Sequence, residues 1–322
     1  MAGRHLKELF AAHRDGDELT FRRAANAIIE EEEAKRHTAL ARDLRNLLAG
    51  GGASFVIEAP LPDAPRDRDS GSPLMAVATP KLVGLDDLVL APEVRVRLEV
   101  VLRETARWPA LDQAGIPRRN RILLHGPPGN GKSSIAAALA AELNWPLASV
   151  RIDGLVSSLL GETASNLREV FEFSSANPTV TLLDEFDSLG KYRGDASDHG
   201  ELRRVVNATL QMIDSYCGKS LLVAATNTPE VLDSALWRRF DEVIEIPTPT
   251  VLQATKLLAR LLGPTAPDCA SQVGEALGGL PFAAIEFVAF AARRKALLAD
   301  RPSPSEQDLR DAVEDALRRP WA

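Results

Sequence analysis

Cysteine is nearly absent from this chain: its 322 residues include only Cys217 and Cys269, far apart and without CxxC spacing. That argues against a disulfide framework and against a zinc site, and a reducing cytoplasm fits best. An excess of basic charge is missing too. Against 38 lysines and arginines stand 45 aspartates and glutamates, a formal net charge of -7, so tight nonspecific association with nucleic acid or an anionic membrane surface is not expected. No apolar run approaches the roughly 20 residues that span a bilayer, and the N-terminal segment lacks the apolar core of a signal peptide. The expectation is a soluble chain with no membrane partner. The five histidines are scattered and no GxSxG run occurs, which leaves no defensible serine-hydrolase triad. Neither an internal repeat nor a helix-turn-helix signature is evident.

What is present begins with an apolar fraction of 45%, ordinary for a globular protein and, at this length, enough for about two domains. The most informative run is Gly126-Pro127-Pro128-Gly129-Asn130-Gly131-Lys132-Ser133, followed by Ser134. It lies between a strand-like stretch, Ile122-Leu123-Leu124-His125, and a helix-forming one, Ile135 to Leu143. Glycines let such a loop curl so that successive N–H groups face phosphates, while the following helix aims its positive end at the same point. In that pattern Lys132 reaches the outer phosphates of a nucleoside triphosphate and Ser133 holds Mg²⁺. A Gly-Pro surface turn would need the Lys-Ser pair and both flanking elements by coincidence.

Residues 1–49 are rich in Ala, Leu, Glu and Arg at helical spacing and predict two or three short helices. Residues 50–80, with their Gly, Pro, Ser and charge content, read as a flexible linker. Residues 81–249 alternate apolar runs with helical patterns, as an α/β domain with a parallel sheet does. Strands are expected near Ile122 to His125, Ala148 to Ile152, Val180 to Leu183, Leu221 to Thr226 and Val243 to Ile246. Residues 250–322 read as helices only: Val251 to Leu262, Cys269 to Leu277, Phe282 to Ala299 and Ser305 to Arg319.

The apolar run Val180-Thr181-Leu182-Leu183 ends in Asp184-Glu185, and open parallel sheets carry their chemistry at such carboxyl ends. There Asp184 suits Mg²⁺ and Glu185 suits a water attacking the γ-phosphate. Alone, the pair would read as a helix start. Leu221 to Thr226 ends at Asn227, whose amide both donates and accepts and so suits orienting that water; a turn opened by Asn and continued by Pro229 is the plain alternative. Arg238-Arg239 precede the last strand and offer a permanent planar charge for a neighbouring subunit's transition state.

In this order and approximate spacing, GPPGNGKS, TLLDEFD, AATNTP and RRFDEVIEIP resemble the AAA-family ATPases, the branch of AAA+ enzymes that remodels proteins. The resemblance covers about Lys81 to Ala299. It implies a P-loop NTPase αβα sandwich with a five-stranded parallel sheet, a C-terminal helical lid and, here, a small N-terminal helical region. It implies ATP and Mg²⁺ as cofactors, with Pro127, Pro128, Gly129, Asn130, Gly131, Lys132, Ser133 and Ser134 around the nucleotide and Ser133 and Asp184 at the metal. Glu185, Asn227 and Arg239 become the hydrolytic set, Arg239 acting in trans as an arginine finger. Asp87, Leu88 and Val89 would lie by the adenine, and Ala283 stands where other AAA+ branches carry an arginine. A finger acting in trans implies a homo-oligomer, commonly a hexameric ring, which hydrolysis drives through lid rotation.

The chain departs from the pattern in places. Leu159 fills the slot before Gly161-Glu162 where threading members carry an aromatic, and leucine lacks the flat surface of one. The finger segment reads Trp237-Arg238-Arg239-Phe240-Asp241-Glu242: the family's second arginine is replaced by Glu242, leaving Arg238 as a substitute. Residues 191–201, with Tyr192 and Arg193, read equally as a second pore loop and as an exposed connection. Arg203 or Arg204 would reach across a subunit interface, or else mark a helix's charged face. The N-terminal region resembles the microtubule-interacting-and-transport type of recruiting domain, though shorter, and Glu30 to Glu33 read as a solvated face. The whole also resembles compact bacterial AAA ATPases that work with a separately encoded subtilisin-like serine protease. Two functions follow from the resemblance: a ring ATPase that remodels or unfolds a protein partner, and an ATP-gated switch that controls such a partner without threading it.

Overall fold

In a computed structural model, the described residues are 63–67, 70–79, 83–151, 163–188, 200–232, 234–263 and 270–321, with a few isolated positions before residue 32. Most of the expected N-terminal helices and the segments around Leu159 and Tyr192 lie outside them. The chain divides into two units, Met1–Pro60 and Leu61–Ala322, and the elements that follow belong to the second.

Five strands run parallel: β2 (Arg121–His125), β3 (Leu147–Arg151), β4 (Val180–Asp184), β5 (Leu221–Thr226) and β6 (Glu242–Glu245). A sixth, β1 (Ala76–Ala78), pairs antiparallel with β3, so the sheet order is β1-β3-β4-β5-β2-β6. The fold is thus the expected α/β sandwich with one added edge strand. That strand falls in the stretch expected to be linker, which also contains an antiparallel bridge between Arg66 and Pro73. The central strands are mostly apolar because both faces are covered; β5 is buried at all six positions. Their side chains alternate between two cores. Leu123, Leu183 and Ala224 face Val170, Phe186 and Ile213. Ile122, Leu124, Leu182 and Val223 face Leu98, Ile135 and Leu139.

Helices α1 (Pro92–Thr105), α2 (Trp108–Gln113), α3 (Lys132–Leu143), α4 (Thr163–Ala176), α5 (Gly200–Asp214) and the short α6 (Ser234–Trp237) intervene. Ala136, Ala138 and Ala140 are fully buried in α3, and their small side chains let it seat closely on the sheet. Its ends are set by left-handed residues, Gly131 (φ 83) and Asn144 (φ 51), Asn being one of the few side chains that tolerate that region.

After β6 come α7 (Val251–Leu262), α8 (Ala270–Ala276), α9 (Phe282–Leu298) and α10 (Glu306–Leu317), around a separate core that includes Leu258, Leu277, Ile285, Val288 and Leu309. Two of these helices open on reciprocal caps, Thr250 with Gln253 and Ser305 with Asp308, which satisfy N–H groups the first turn leaves unpaired. Arg301 also donates to Asp308, and that hydrogen bond holds its carboxyl well below the usual carboxylate range. Among the described residues no helix is long and apolar enough to cross a membrane.

Candidate nucleotide site

The loop joining β2 to α3 is shaped by three glycines at positive φ: Gly126 (144), Gly129 (72) and Gly131 (83). Two of them are also sterically required. A Cβ on Gly126 would stand 2.2 Å from the Ile246 carbonyl oxygen, and one on Gly129 would stand 2.9 Å from the Ala283 Cβ. Lys132 opens α3 and is buried; its Nζ donates to the carbonyls of Gly126 at 2.7 Å and Pro127 at 2.9 Å. Burial pushes its ammonium down to about 8, against the opposing charges of Asp184 and Asp187. The loop therefore holds a cation that an anionic ligand would stabilise, beside the positive end of a 12-residue helix.

The next residue, Ser133, donates through Oγ to Asp184 Oδ2 at 3.0 Å, although 51 positions separate them. β4 ends at Asp184, and Glu185 then adopts φ 53, a conformation that costs a non-glycine residue about 1–3 kcal/mol. It is held there from both sides. The Glu185 N–H donates to Asp184 Oδ1 at 3.0 Å, and the Phe186 N–H donates to the Ala225 carbonyl at 2.9 Å. Phe186 is fully buried, edge-on to Phe240. This anchored turn places Glu185 at a cavity of about 370 Å³, with Asp184 beside it and Asn227 from the end of the neighbouring β5. Thr228 Oγ1 donates to Asp187 Oδ2 at 2.8 Å, tying the Asn227 turn to the Glu185 turn.

The floor of that cavity is Gly129, Gly131, Lys132, Ser133 and Ser134, and its helical side is Phe282, Ala283 and Glu286 of α9. The Ala283 N–H donates to the Gly129 carbonyl at 3.0 Å. An adjoining recess brings Asp87, Leu88 and Val89 to Asn130, Ser134 and Phe282. Nearly all the residues expected around the nucleotide thus converge, while Pro127 and Pro128 belong to the same loop without lining either space. Arg239 does not join them: its Nε donates to Asp214 Oδ2 at 2.8 Å, away from its own chain's cavity. The side chains of Arg203 and Arg204 lie outside the described residues.

Glu286, Leu257 and the Thr228–Asp187 pair are parts of the site that reading the sequence missed. One signal was available, since Ala283 was singled out and Glu286 stands three residues beyond it on the same helix. As a metal site, Ser133 and Asp184 offer two hard oxygen donors and no soft ligand. That donor set fits Mg²⁺, which takes few protein oxygens and completes its shell with phosphate and water.

The profile of the family described as "ATPase family associated with various cellular activities (AAA)" matches residues 122–248. An uncharacterized AAA family ATPase, y4kL, of Sinorhizobium fredii is 39% identical over 98% of this chain and 96% of its own length. The proteasome-activating nucleotidase of Pyrococcus horikoshii is 33% identical over 70% of this chain, which spans 58% of that relative. Among solved structures, the FIGL-1 AAA domain superposes with a TM-score of 0.63 at 24% identity, covering 76% of this chain and 87% of that one; this likeness is one of fold.

Proposed function

The chain belongs to the AAA family and is an ATPase, and from that premise we propose that it hydrolyses ATP with Mg²⁺ in a ring of its own copies to remodel a protein partner. The observation that carries this reading is the meeting of Lys132, the Ser133–Asp184 pair, Glu185 and Asn227 at one cavity, from a loop and two adjacent strand ends. Lys132 binds the outer phosphates, moving from the Gly126 and Pro127 carbonyls to phosphate oxygens. Ser133 and Asp184 would hold Mg²⁺, which when bound neutralises charge on the β- and γ-oxygens. Glu185, fixed in its strained turn, accepts a proton from the attacking water, and Asn227 orients that water. Arg239 supplies transition-state charge to the neighbouring protomer, which makes hydrolysis depend on assembly.

In this reading residues 1–49 recruit the partner, 81–249 bind nucleotide and 250–322 form the lid, while within 50–80 only the part before the Arg66–Pro73 bridge and the edge strand Ala76–Ala78 serves as tether. The name of the nucleotidase relative supports a protein partner linked to proteolysis; for this chain a separately encoded subtilisin-like protease in the cytoplasm is the proposed case, tested by co-purification. The working assembly is a hexamer, tested by mass in the presence of ATP. Leu159, in the slot where threading relatives carry an aromatic, favours the second reading, an ATP-gated switch without threading. Following a tagged, folded substrate during hydrolysis separates the two, because only the first reading unfolds it.

Two variants test the chemistry. Lys132→Ala is expected to lose nucleotide binding, and Glu185→Gln to bind ATP without releasing phosphate. Wild-type turnover by Glu185→Gln would remove the carboxylate from its role.

A further inference from the structure

The segment that carries Arg239 is short, with only Arg238 to Asp241 joining α6 to β6, and its two flanks are tied to opposite ends of β2. At the start of that strand, Asp241 accepts from the Asn120 and Arg121 N–H groups at 3.1 and 3.0 Å and from the Arg121 guanidinium at 2.6 Å. At its end, the Trp237 ring meets His125 edge-on, with centroids 5.0 Å apart and planes at 75°. The indole is anchored as well, since its Nε1 donates to the Leu232 carbonyl at 3.1 Å. Burial lowers the His125 imidazole from its ordinary value, so at neutral pH it meets the indole as an uncharged ring. Two bonds carry the brace forward: the Arg239 N–H donates to the Leu236 carbonyl at 3.1 Å and the Phe240 N–H to the Trp237 carbonyl at 3.4 Å. Wherever the Trp237 end of the turn sits, Arg239 follows.

From this geometry we infer that Trp237, braced on His125, is a positioning residue for Arg239: it fixes the direction in which the guanidinium leaves the chain, and so acts on hydrolysis in the neighbouring protomer rather than in its own. The inference rests on the trans reading of Arg239 above. A guanidinium stabilises transition-state charge only where it is held, and a misplacement of about 1 Å can cost about 10²-fold in rate. The bond from Arg239 to Asp214 steadies the side chain but not the backbone that presents it. Trp237 also packs at the edge of the core that contains Leu236 and Phe240, so a role in packing alone is the competing account. The two accounts differ in where the damage falls. Lost packing weakens the chain that bears the substitution, whereas a misaimed finger leaves that chain's own site sound.

The test measures phosphate release by full-length chains, alone and mixed with Glu185→Gln, which keeps its finger but has a dead site. Trp237→Leu should bind ATP with wild-type affinity and lose phosphate release by about 10²-fold. Trp237→Phe, which still offers a ring to His125, should keep most of the rate. Added Glu185→Gln should raise phosphate release by Trp237→Leu well above the sum of the two alone, because its finger serves the intact neighbouring site. Arg239→Ala should be rescued in the same way. Wild-type turnover by Trp237→Leu overturns the assignment. So does a loss that Glu185→Gln leaves unrelieved while it relieves Arg239→Ala, since Trp237 would then serve its own chain alone. If neither variant is relieved, the trans reading falls and this inference with it. Should Trp237→Leu fail to fold, His125→Ala, which removes the brace and leaves the indole, decides by the same mixing experiment.

Discussion

One wall of the cleft carries Lys132, Ser133, Asp184, Glu185 and Asn227, all standing at the ends of buried parallel strands or on the loop that one of them feeds. The other carries Phe282, Ala283 and Glu286 on the opening turns of α9, a helix packed into a different core. On the sheet wall the backbone decides where each group points, through ladder pairing, glycine conformations and the Ser133–Asp184 bond. The helical wall meets it through narrower means: the Ala283 N–H on the Gly129 carbonyl, and Arg260 on the carbonyls of Asp86 and Asp87. A rigid wall facing a separately packed one is the arrangement expected of domain closure around a ligand.

The largest expected effect asks whether the sheet wall is complete within one chain. Arg239 is paired with Asp214 and lies outside its own cavity. If it serves the next protomer, Arg239→Ala binds ATP normally and loses hydrolysis by about 10³ to 10⁵, the scale of arginine fingers in other nucleotide hydrolases. Phosphate release and ATP affinity measured on the same preparation decide it. Undiminished turnover would move the role to Arg238 or Arg203.

Next comes a matched pair of glycines. Both Gly126 and Gly279 have positive φ, but a Cβ at Gly126 meets the Ile246 carbonyl at 2.2 Å while one at Gly279 meets nothing within 4 Å. Gly126→Ala should therefore destabilise by about 3 kcal/mol or more in urea unfolding, combining strain with backbone displacement. Gly279→Ala, at the start of the helical wall, should cost only the left-handed penalty of about 1–2 kcal/mol. Equal losses would mean that the loop yields as readily as an open turn, against the contrast between the walls.

A third expectation uses pH. Lys132 stands at about 8 in the folded chain against 10.5 for an ordinary lysine. Between those values the unfolded chain binds the proton and the folded chain does not, so this group's contribution to stability rises with pH across that window. Below about 8 both states are protonated and the burial cost is fully felt. Without nucleotide, wild type should gain on Lys132→Met by on the order of 2–3 kcal/mol between pH 7.5 and 10.5. Parallel pH profiles for the two proteins would show that the ammonium is solvated.

The same contrast explains what the sequence revealed. Groups on the sheet wall are announced locally: an apolar run ends and the polar residue that follows is the one delivered to the cavity, as with Asp184 and Asn227. Four of the expected parallel strands lie within one residue of their observed bounds and Leu221–Thr226 coincides. The helical wall has no such signal, because Phe282 and Glu286 reach the site through packing between residues about 150 positions apart. The edge strand Ala76–Ala78 escaped for another reason. Three residues with burial pattern exposed, intermediate, exposed are too short to show an alternation, and only pairing with Leu147–Ser149 makes them a strand. Arg239 was legible but its bond to Asp214 was not, since the two are 25 positions apart.

The smallest effect concerns the join itself. Arg260 projects from α7 and donates to the carbonyls of Asp86, at 3.1 Å, and Asp87, at the turn that leads into the recess wall. The bonds are exposed, so Arg260→Ala should cost only about 0.5–1.5 kcal/mol, the net worth of a hydrogen bond in water. Its consequence should be local. Amide exchange at Asp87 and Leu88 should speed up, while Ile135 and the following α3 amides, whose bonds lie within that helix, keep their protection. Arg260→Lys should restore part of the effect, since a single ammonium replaces a two-pronged fork. If exchange at Asp87 is unmoved in Arg260→Ala, the helical wall is held by its apolar contacts and by Ala283, and closure of the cleft does not pass through this residue.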